Sequence, residues 1–247
     1  MDIEIFFGQK KNINKMINKK NILKHARNFD DIGISSAKNF VPDWYKNGKR
    51  WPNVDSEKEI KRIPTAVGFK LCSPFLDAIT SGYIIPLTQD IAIEQTEGGP
   101  SISYNDQIGT PIILRNHDDN ITLPTPPGTS PLHFAWHTAV TFKIPKGYSA
   151  LLTHPLNRFD LPFITTSGII DGEYAVPPGN VPVFISSTFE GIIPMGTPII
   201  QITLFKTENW SSEENANILQ ESNTNNRRAA STFGWYKKTK WKKKSYN

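Results

Sequence analysis

Short apolar runs separated by turn residues fill the sequence from Pro145 to Lys206. Each run has the length of one strand, and no helical period lies between neighbouring runs. Short strands at close spacing are typical of a β-sandwich or a β-barrel. The pattern therefore predicts an all-β core whose strand-like runs are 146–153, 168–171, 181–187, 191–194 and 197–205.

Strand-like residues begin before this core, at about residue 65. Further strands are predicted over 66–71, 83–87, 90–94, 111–114 and 138–144. One short helix is predicted over residues 73–79, with Ser73 as its N-cap and Pro74 in its first turn. Residues 115–131 are rich in Asp, Asn, Pro and Gly and predict an exposed loop.

Cys72 is the only cysteine, so an intrachain disulfide cannot form. It follows the apolar run Phe69–Leu71, and this neighbourhood predicts a buried structural thiol. A chain without disulfides fits a reducing compartment.

The basic charge of the chain lies in its C-terminal tail. The net charge is +5, and the eight cations from Arg227 onward, with no acidic residue among them, leave −3 for the rest. Aromatic side chains interleaved with lysines can stack on bases while the lysines bind phosphates, so a nucleic-acid contact is one interpretation. A solvated tail and an arm that docks on an acidic neighbouring subunit are the others. The large aromatic residues favour docking.

Composition divides the chain into three regions. Residues 1–64 are predicted to be an N-terminal arm and wrapping segment, residues 65–206 the β-barrel domain, and residues 207–247 a linker and a basic aromatic arm. Aromatic and basic side chains in the two arms are the predicted partner-binding residues: Trp44, Tyr45, Trp51, Trp235, Tyr236, Trp241, Lys242, Lys243 and Lys244.

No membrane contact is expected. The first eight residues are apolar but acidic, and the basic stretch follows them, which is unlike a signal peptide. The sequence also has no apolar run of about 18 residues, the length that a spanning helix needs.

Three motifs follow one another in the core: the turn and strand Ile144–Leu152, the hairpin Gly168–Tyr174 with its Gly-Ile-Ile-Asp sequence, and the strand Ile192–Ile202. In this order they resemble the dUTPase and dCTP-deaminase superfamily. The resemblance covers residues 144–206. It implies a distorted β-barrel or jelly-roll that forms a homotrimer.

The resemblance also implies a nucleotide pocket. Asp171 would bind the sugar 3′-hydroxyl or the catalytic water network, and Tyr174 would pack on the deoxyribose. Gln201 lies on the strand that would reach the pocket, and Arg158 could contact a phosphate. Magnesium would be the cofactor of such an enzyme.

The sequence departs from the superfamily pattern where triphosphate and metal would bind. Residues 154–160 contain no small-residue turn that offers backbone N–H groups. The segment Ser81–Tyr83 lacks the aspartate of the motif on the metal side. Residues Ser231–Gly234 only faintly resemble the glycine-rich motif that clamps phosphate, and lysine and tryptophan residues surround them. Without these parts a catalyst loses both positioning and charge neutralisation.

No metal site is predicted from the histidines. His133 and His137 are four residues apart in a segment that reads as a strand. Residues at that spacing lie about 13 Å apart on one face, which is too far for one metal ion.

Two functions from different classes follow from these features. Segments 41–46, 74–78 with 82–86, and 155–158 give the whole chain a weak resemblance to uncharacterised proteins of tailed bacteriophages. The favoured hypothesis is a non-enzymatic structural or assembly protein, located in the virion or the host cytoplasm, whose arms dock on neighbouring subunits. The alternative is a nucleotide triphosphate hydrolase or deaminase.

Overall fold

The computed structural model describes residues 23–27, 33–50, 68–115, 124–171, 175–176, 179–231 and 234–246. In order, the strands are β1 (Lys24–Arg27), β2 (Ser35–Ser36), β3 (Tyr83–Pro86), β4 (Ile91–Thr96), β5 (Gly99–Ser103), β6 (Ile112–Leu114), β7 (Thr129–His137), β8 (Val140–Lys143), β9 (Tyr148–Thr153), β10 (Phe163–Thr165), β11 (Gly168–Asp171), β12 (Ala175–Val176), β13 (Asn180–Ser186), β14 (Gly191–Ile193) and β15 (Pro198–Lys206). The α-helices are α1 (Asp43–Asn47), α2 (Ser73–Thr80), α3 (Asn217–Ser231) and α4 (Trp235–Thr239). The predicted all-β fold class is confirmed.

The strands form four antiparallel sheets. The largest has the order β11-β9-β15-β3-β2, and the next has the order β10-β13-β7-β6. Two smaller sheets have the orders β14-β4-β5 and β1-β8-β12. Strands β1 and β2 lie in the predicted N-terminal arm, and they pair with β8 and β3 respectively.

One cluster of buried apolar side chains joins strands of all four sheets. It includes Phe142 on β8, Trp136 on β7, Ile202 on β15 and Ile93 on β4. Complete burial of one such side chain contributes about 1.5–3 kcal/mol to folding. The four sheets therefore share a single core, which explains why the apolar runs recur over most of the chain.

A buried hydroxyl connects the two largest sheets. The Trp136 indole Nε1 donates a hydrogen bond of 3.0 Å to Thr165 Oγ1. The Thr165 hydroxyl in turn donates to the Ile199 carbonyl at 2.7 Å, which fixes β10 against the start of β15. The Trp136 ring also stands edge-on to Phe163, with ring centroids 5.0 Å apart.

Strand β15 is buried on both faces over its first half, Pro198–Ile202. Ile200 and Ile202 belong to the core cluster. Gln201 points away from the core and towards α2, whose backbone it contacts. A strand covered on both faces reads as a continuous apolar run, which is the pattern seen in the sequence.

The structure corrects the interpretation of residues 69–72. Phe69–Leu71 forms a 3-10 helix and not a strand, and Cys72 is exposed and not buried. The backbone bonds here are local, from Leu71 N to Gly68 O and from Cys72 N to Phe69 O. A short apolar run fits a helical turn as well as a strand, so its pattern alone does not decide between them.

The helix predicted over residues 73–79 is confirmed as α2, although Cys72 and not Ser73 is the N-cap residue. The segment after residue 206, predicted as a linker and a basic arm, contains α3, which runs from the linker into the basic arm. Trp51, Tyr174 and the loop residues 116–123 lie outside the described residues.

We expect Thr165→Val to lower the free energy of unfolding by about 2 kcal/mol, because it leaves a buried N–H and a buried C=O without their partner. The melting temperature should then fall by about 4–8 °C. The measurement is chemical and thermal unfolding followed by circular dichroism.

The matched control is Thr153→Val. Thr153 Oγ1 is buried and has no hydrogen-bond partner among the described residues, so this change should leave stability unchanged or raise it. Equal losses in the two variants would contradict the bridging role of Thr165.

Candidate functional site

Gln201 uses its side chain to hold backbone groups together. Its Nε2 donates to the carbonyls of Ala78 and Ser81 at 2.9 and 2.7 Å, at the C-terminal end of α2. Its Oε1 accepts the N–H of Leu156 at 2.7 Å. The side chain is buried, and both of its donor hydrogens are engaged. In this structure Gln201 fastens α2 and the loop after β9 to the sheet.

Asp171 ends β11 and is exposed. Its Oδ1 accepts a 2.6 Å hydrogen bond from Ser149 Oγ, which also lies 2.6 Å from Thr207 Oγ1. Because the Ser149 hydrogen goes to the carboxylate, the Thr207 hydroxyl must donate to Ser149. This chain of bonds ties the edge strand to the start of the C-terminal segment.

The strand register keeps Asp171 and Gln201 apart. Asp171 lies opposite Ser149, and Gln201 lies opposite Thr153 on the same strand, β9. Four residues along a strand span about 13 Å. The structure therefore does not bring these two predicted pocket residues together. Tyr174, the third, is outside the described residues.

Arg158 is bound to groups of its own chain. Its Nε and Nη2 each donate to the Asp160 carboxylate at 2.8 Å, and Nη1 donates to the Phe40 carbonyl at 3.3 Å. Burial alone would raise the pKa of Asp160, but the hydrogen bonds and charge of Arg158 outweigh it and hold that pKa below its ordinary value. A phosphate would have to compete with this bidentate ion pair.

His154 is held as one neutral tautomer in the same loop. Its Nδ1 accepts the N–H of Thr165 at 3.3 Å, so Nε2 carries the proton and donates to the Arg158 carbonyl at 3.1 Å. Burial lowers the pKa of His154, and the bond to the Arg158 carbonyl offsets only part of this effect. Protonation of Nδ1 would break the bond from Thr165.

The aromatic residues of the N-terminal segment pack within their own chain. Tyr45 is buried and stacks on Phe75, with centroids 6.0 Å apart and planes 13° apart. Trp44 makes edge contacts with Tyr45, Phe69 and Phe75. These two predicted anchors thus attach α1 to α2, and Trp51 lies outside the described residues.

The end of the basic tail also contacts its own chain. Trp241 Nε1 donates to Asp77 Oδ2 at 2.9 Å, and Lys244 forms an ion pair with the same oxygen. The Tyr246 carbonyl accepts hydrogen bonds from Ser36 Oγ at 2.8 Å and from Lys38 Nζ at 3.3 Å. The residues that the end of the tail contacts are called here the tail site: Ser36, Lys38, Asp77 and Tyr83.

Tyr83 completes the tail site through its ring. The Tyr246 ring stands edge-on to it, with centroids 6.0 Å apart and planes 82° apart. Burial, followed by the proximity of Tyr246, raises the pKa of Tyr83. The Tyr83 phenol therefore stays neutral, which suits its contact with the Tyr246 ring.

Other predicted tail residues remain on the surface. Lys242 and Lys243 are exposed. Trp235 and Tyr236 lie on α4, where the Lys240 ammonium sits 5.9 Å from the centre of the Trp235 ring. Tail residues 235–244 are thus divided between a docked end and an exposed part.

Sequence reasoning missed Asp77 and the rest of the tail site. Asp77 is the one acidic residue in an otherwise apolar and small-residue helix, α2. A carboxylate beside apolar residues favours a contact with a cationic group and an aromatic ring together. The position of Asp77 could therefore have indicated such a contact. Ser36 and Tyr83 gave no such signal, because their role depends on the pairing of β2 with β3.

No group of three or more His, Cys, Asp or Glu side chains in the described part of the protein could hold a metal ion. A cavity lined by residues including Leu87, Pro111 and Thr138 has room for about one water molecule, which is far too little for a nucleotide.

The sequence matches no family model and no curated protein. Among the described residues, the helices are too short or too polar to cross a membrane.

The environment of His154 predicts a pH-dependent stability. Its folded-state pKa is lowered, so the unfolded chain binds more protons once the pH falls below about 6.5, the ordinary value for histidine. The free energy of unfolding should therefore decrease as the pH falls from 7.5 to 5.5. Urea unfolding across this range measures it.

His154→Gln should flatten that part of the pH dependence, since glutamine does not titrate. His137→Gln, at an exposed position on β7, is the control and should keep the wild-type slope. An unchanged slope in the His154 variant would contradict this account.

Proposed function

We propose that this protein is a non-catalytic structural subunit that assembles with other protein subunits. The observation that carries the proposal is the C-terminal segment 207–240, which stands on the surface while it carries large apolar side chains. Such side chains in a long exposed segment mark a protein-binding surface.

Three large apolar residues of this segment are mostly exposed. Trp210 is 85% exposed, Ile218 59% and Leu219 68%. Helix α3, which carries the last two, has 15 residues and several asparagines. A helix of that length is marginal in water without a packing partner. Burial against another subunit would supply that partner.

The chemistry of the segment favours protein over nucleic acid. Contacts with single-stranded nucleic acid rely on aromatic stacking and cations, yet Ile218 and Leu219 are aliphatic. Of the aromatic residues, Trp241 is bonded to Asp77 and Trp235 lies beneath Lys240, whereas Trp210 and Tyr236 are exposed. Lys244 is paired as well. The exposed Lys242 and Lys243 fit an acidic protein surface.

The state of the predicted pocket residues supports the non-catalytic part of the proposal. Gln201 and Arg158 are engaged with backbone groups and Asp160, and the register separates Asp171 from Gln201. A hydrolase needs such groups to converge on one reacting atom.

The setting we propose is a bacteriophage virion. It rests on the resemblance of segments 41–46, 74–78 with 82–86, and 155–158 to tailed-phage proteins. The homotrimer rests on the resemblance of residues 144–206 to the dUTPase and dCTP-deaminase superfamily. In this setting the sheets form a scaffold, and the C-terminal segment makes the contacts between subunits.

The double variant Ile218→Asn with Leu219→Asn tests the proposal. Each lost burial weakens association by about 1.5 kcal/mol or more, so the dissociation constant should rise about 100-fold. Sedimentation velocity over a concentration series measures the association.

Ile192→Asn is the matched control, because Ile192 on β14 is 63% exposed but lies outside the segment. It should associate as the wild type does. Unaltered association of the double variant, or a wild type that stays monomeric at every concentration, would refute the proposal.

A further inference from the structure

The tail site contacts the end of the tail at two places. Asp77 receives both the Trp241 indole and the Lys244 ammonium. At the other place, Ser36 and Lys38 donate hydrogen bonds to the Tyr246 carbonyl, and the Tyr83 ring contacts the Tyr246 ring. The side chain of Asp77 is only 16% exposed as a result. Residues 241–246 therefore fill a site of defined chemistry.

The segment that connects the tail to the sheets begins at Thr207, which bonds to Gly147 and Ser149. Between residues 208 and 240, the described side chains are exposed, except those of Asn225 and Trp235, which are half-buried. By contrast, Trp241 and Tyr246 are both half-buried. The tail thus has a docked end and a free tether.

The tether is much longer than the contact within one chain requires. Ile202 on β15 lies opposite Tyr83 of the tail site, and Lys206 ends the strand four residues later, a distance of about 13 Å. Helix α3 alone spans about 22 Å. Residues 207–216, when fully extended, span about 33 Å more. Together they reach beyond the diameter of a domain of this size, about 40 Å.

From this excess length we infer that the tail is exchanged between copies: residues 241–246 of one subunit occupy the tail site of a neighbouring subunit. The inference rests on the proposed assembly function and names its partner, a second copy of this chain. Each contact that residues 241–246 make with the tail site of their own chain can also form with the tail site of a second chain. The exchange therefore loses no interaction.

Exchange would also supply the packing that the tether lacks. Within one chain, Trp210, Ile218 and Leu219 remain open to water. A tether that crosses to a neighbour can lay these side chains against the second subunit. Dilution favours the contact within one chain, because the linked tail has a high effective concentration. Assembly raises the local concentration of neighbouring tail sites and shifts the balance.

Cross-linking of mixed populations tests the exchange. In a Cys72→Ser background, one population carries Ser36→Cys in the tail site and the other carries Ser245→Cys beside Tyr246. The two are mixed under conditions in which the wild type associates, and are then treated with a short bismaleimide. Exchange predicts a covalent heterodimer that neither population forms alone.

Two variants check that the heterodimer uses the tail site. Asp77→Lys in the first population and Lys244→Glu in the second should each lower its yield about tenfold, because a charge-assisted contact is lost. Lys244 is an exposed tail residue, so its replacement leaves the sheets intact even if Asp77→Lys disturbs α2.

The outcomes separate this inference from the proposed function. Association without a heterodimer, or a heterodimer whose yield neither variant changes, refutes the exchange and leaves the assembly function standing. A protein that does not associate at all refutes both. A heterodimer that both variants reduce supports the exchange.

Discussion

The hydroxyl of Thr165 joins the two largest sheets at the centre of the core, between the Trp136 indole and the Ile199 carbonyl. An unpaired polar group at this depth would destabilise the fold by about 1–3 kcal/mol, so the bridge fixes where β15 begins. Once β15 is placed, Ile200 and Ile202 face the core and Gln201 faces α2. The position of α2, and with it the tail site at Asp77, follows from this arrangement.

Much of the secondary structure could be predicted from the sequence. The strands near Tyr83, Ile91, Ile112 and Tyr148 and the helix α2 lie where apolar runs and turn residues indicated them. The pattern was informative because one core buries side chains from all four sheets. It was misleading at Phe69–Cys72, where the run is too short to tell a helical turn from a strand.

The functional residues could be predicted far less well. Gln201 carries an amide that suits a ligand pocket, yet the fold uses that amide to hold three backbone groups. Arg158 meets Asp160 two residues away, and no periodicity marks that pairing. Trp241 and Lys244 were expected to bind a partner, but their contact with Asp77 joins residues more than 160 positions apart. Such contacts depend on the topology of the sheets, which residue types do not specify.

These features describe a rigid sheet scaffold with a C-terminal segment of different character. The scaffold has a shared buried core and engages the polar groups that a resemblance to nucleotide enzymes would place in a pocket. The segment begins at Thr207, which bonds to the scaffold, exposes Trp210, Ile218 and Leu219, and returns to the scaffold through residues 241–246. The proposed structural subunit would use the first part as a stable body and the second as a binding extension.

Hydrogen–deuterium exchange of the isolated and the associated protein tests this account most directly. Backbone amides of residues 207–240 should exchange quickly in the isolated subunit, because few contacts protect that segment. They should become strongly protected on association, while the sheet amides stay protected in both states. Equally fast exchange of residues 207–240 before and after association would contradict the account.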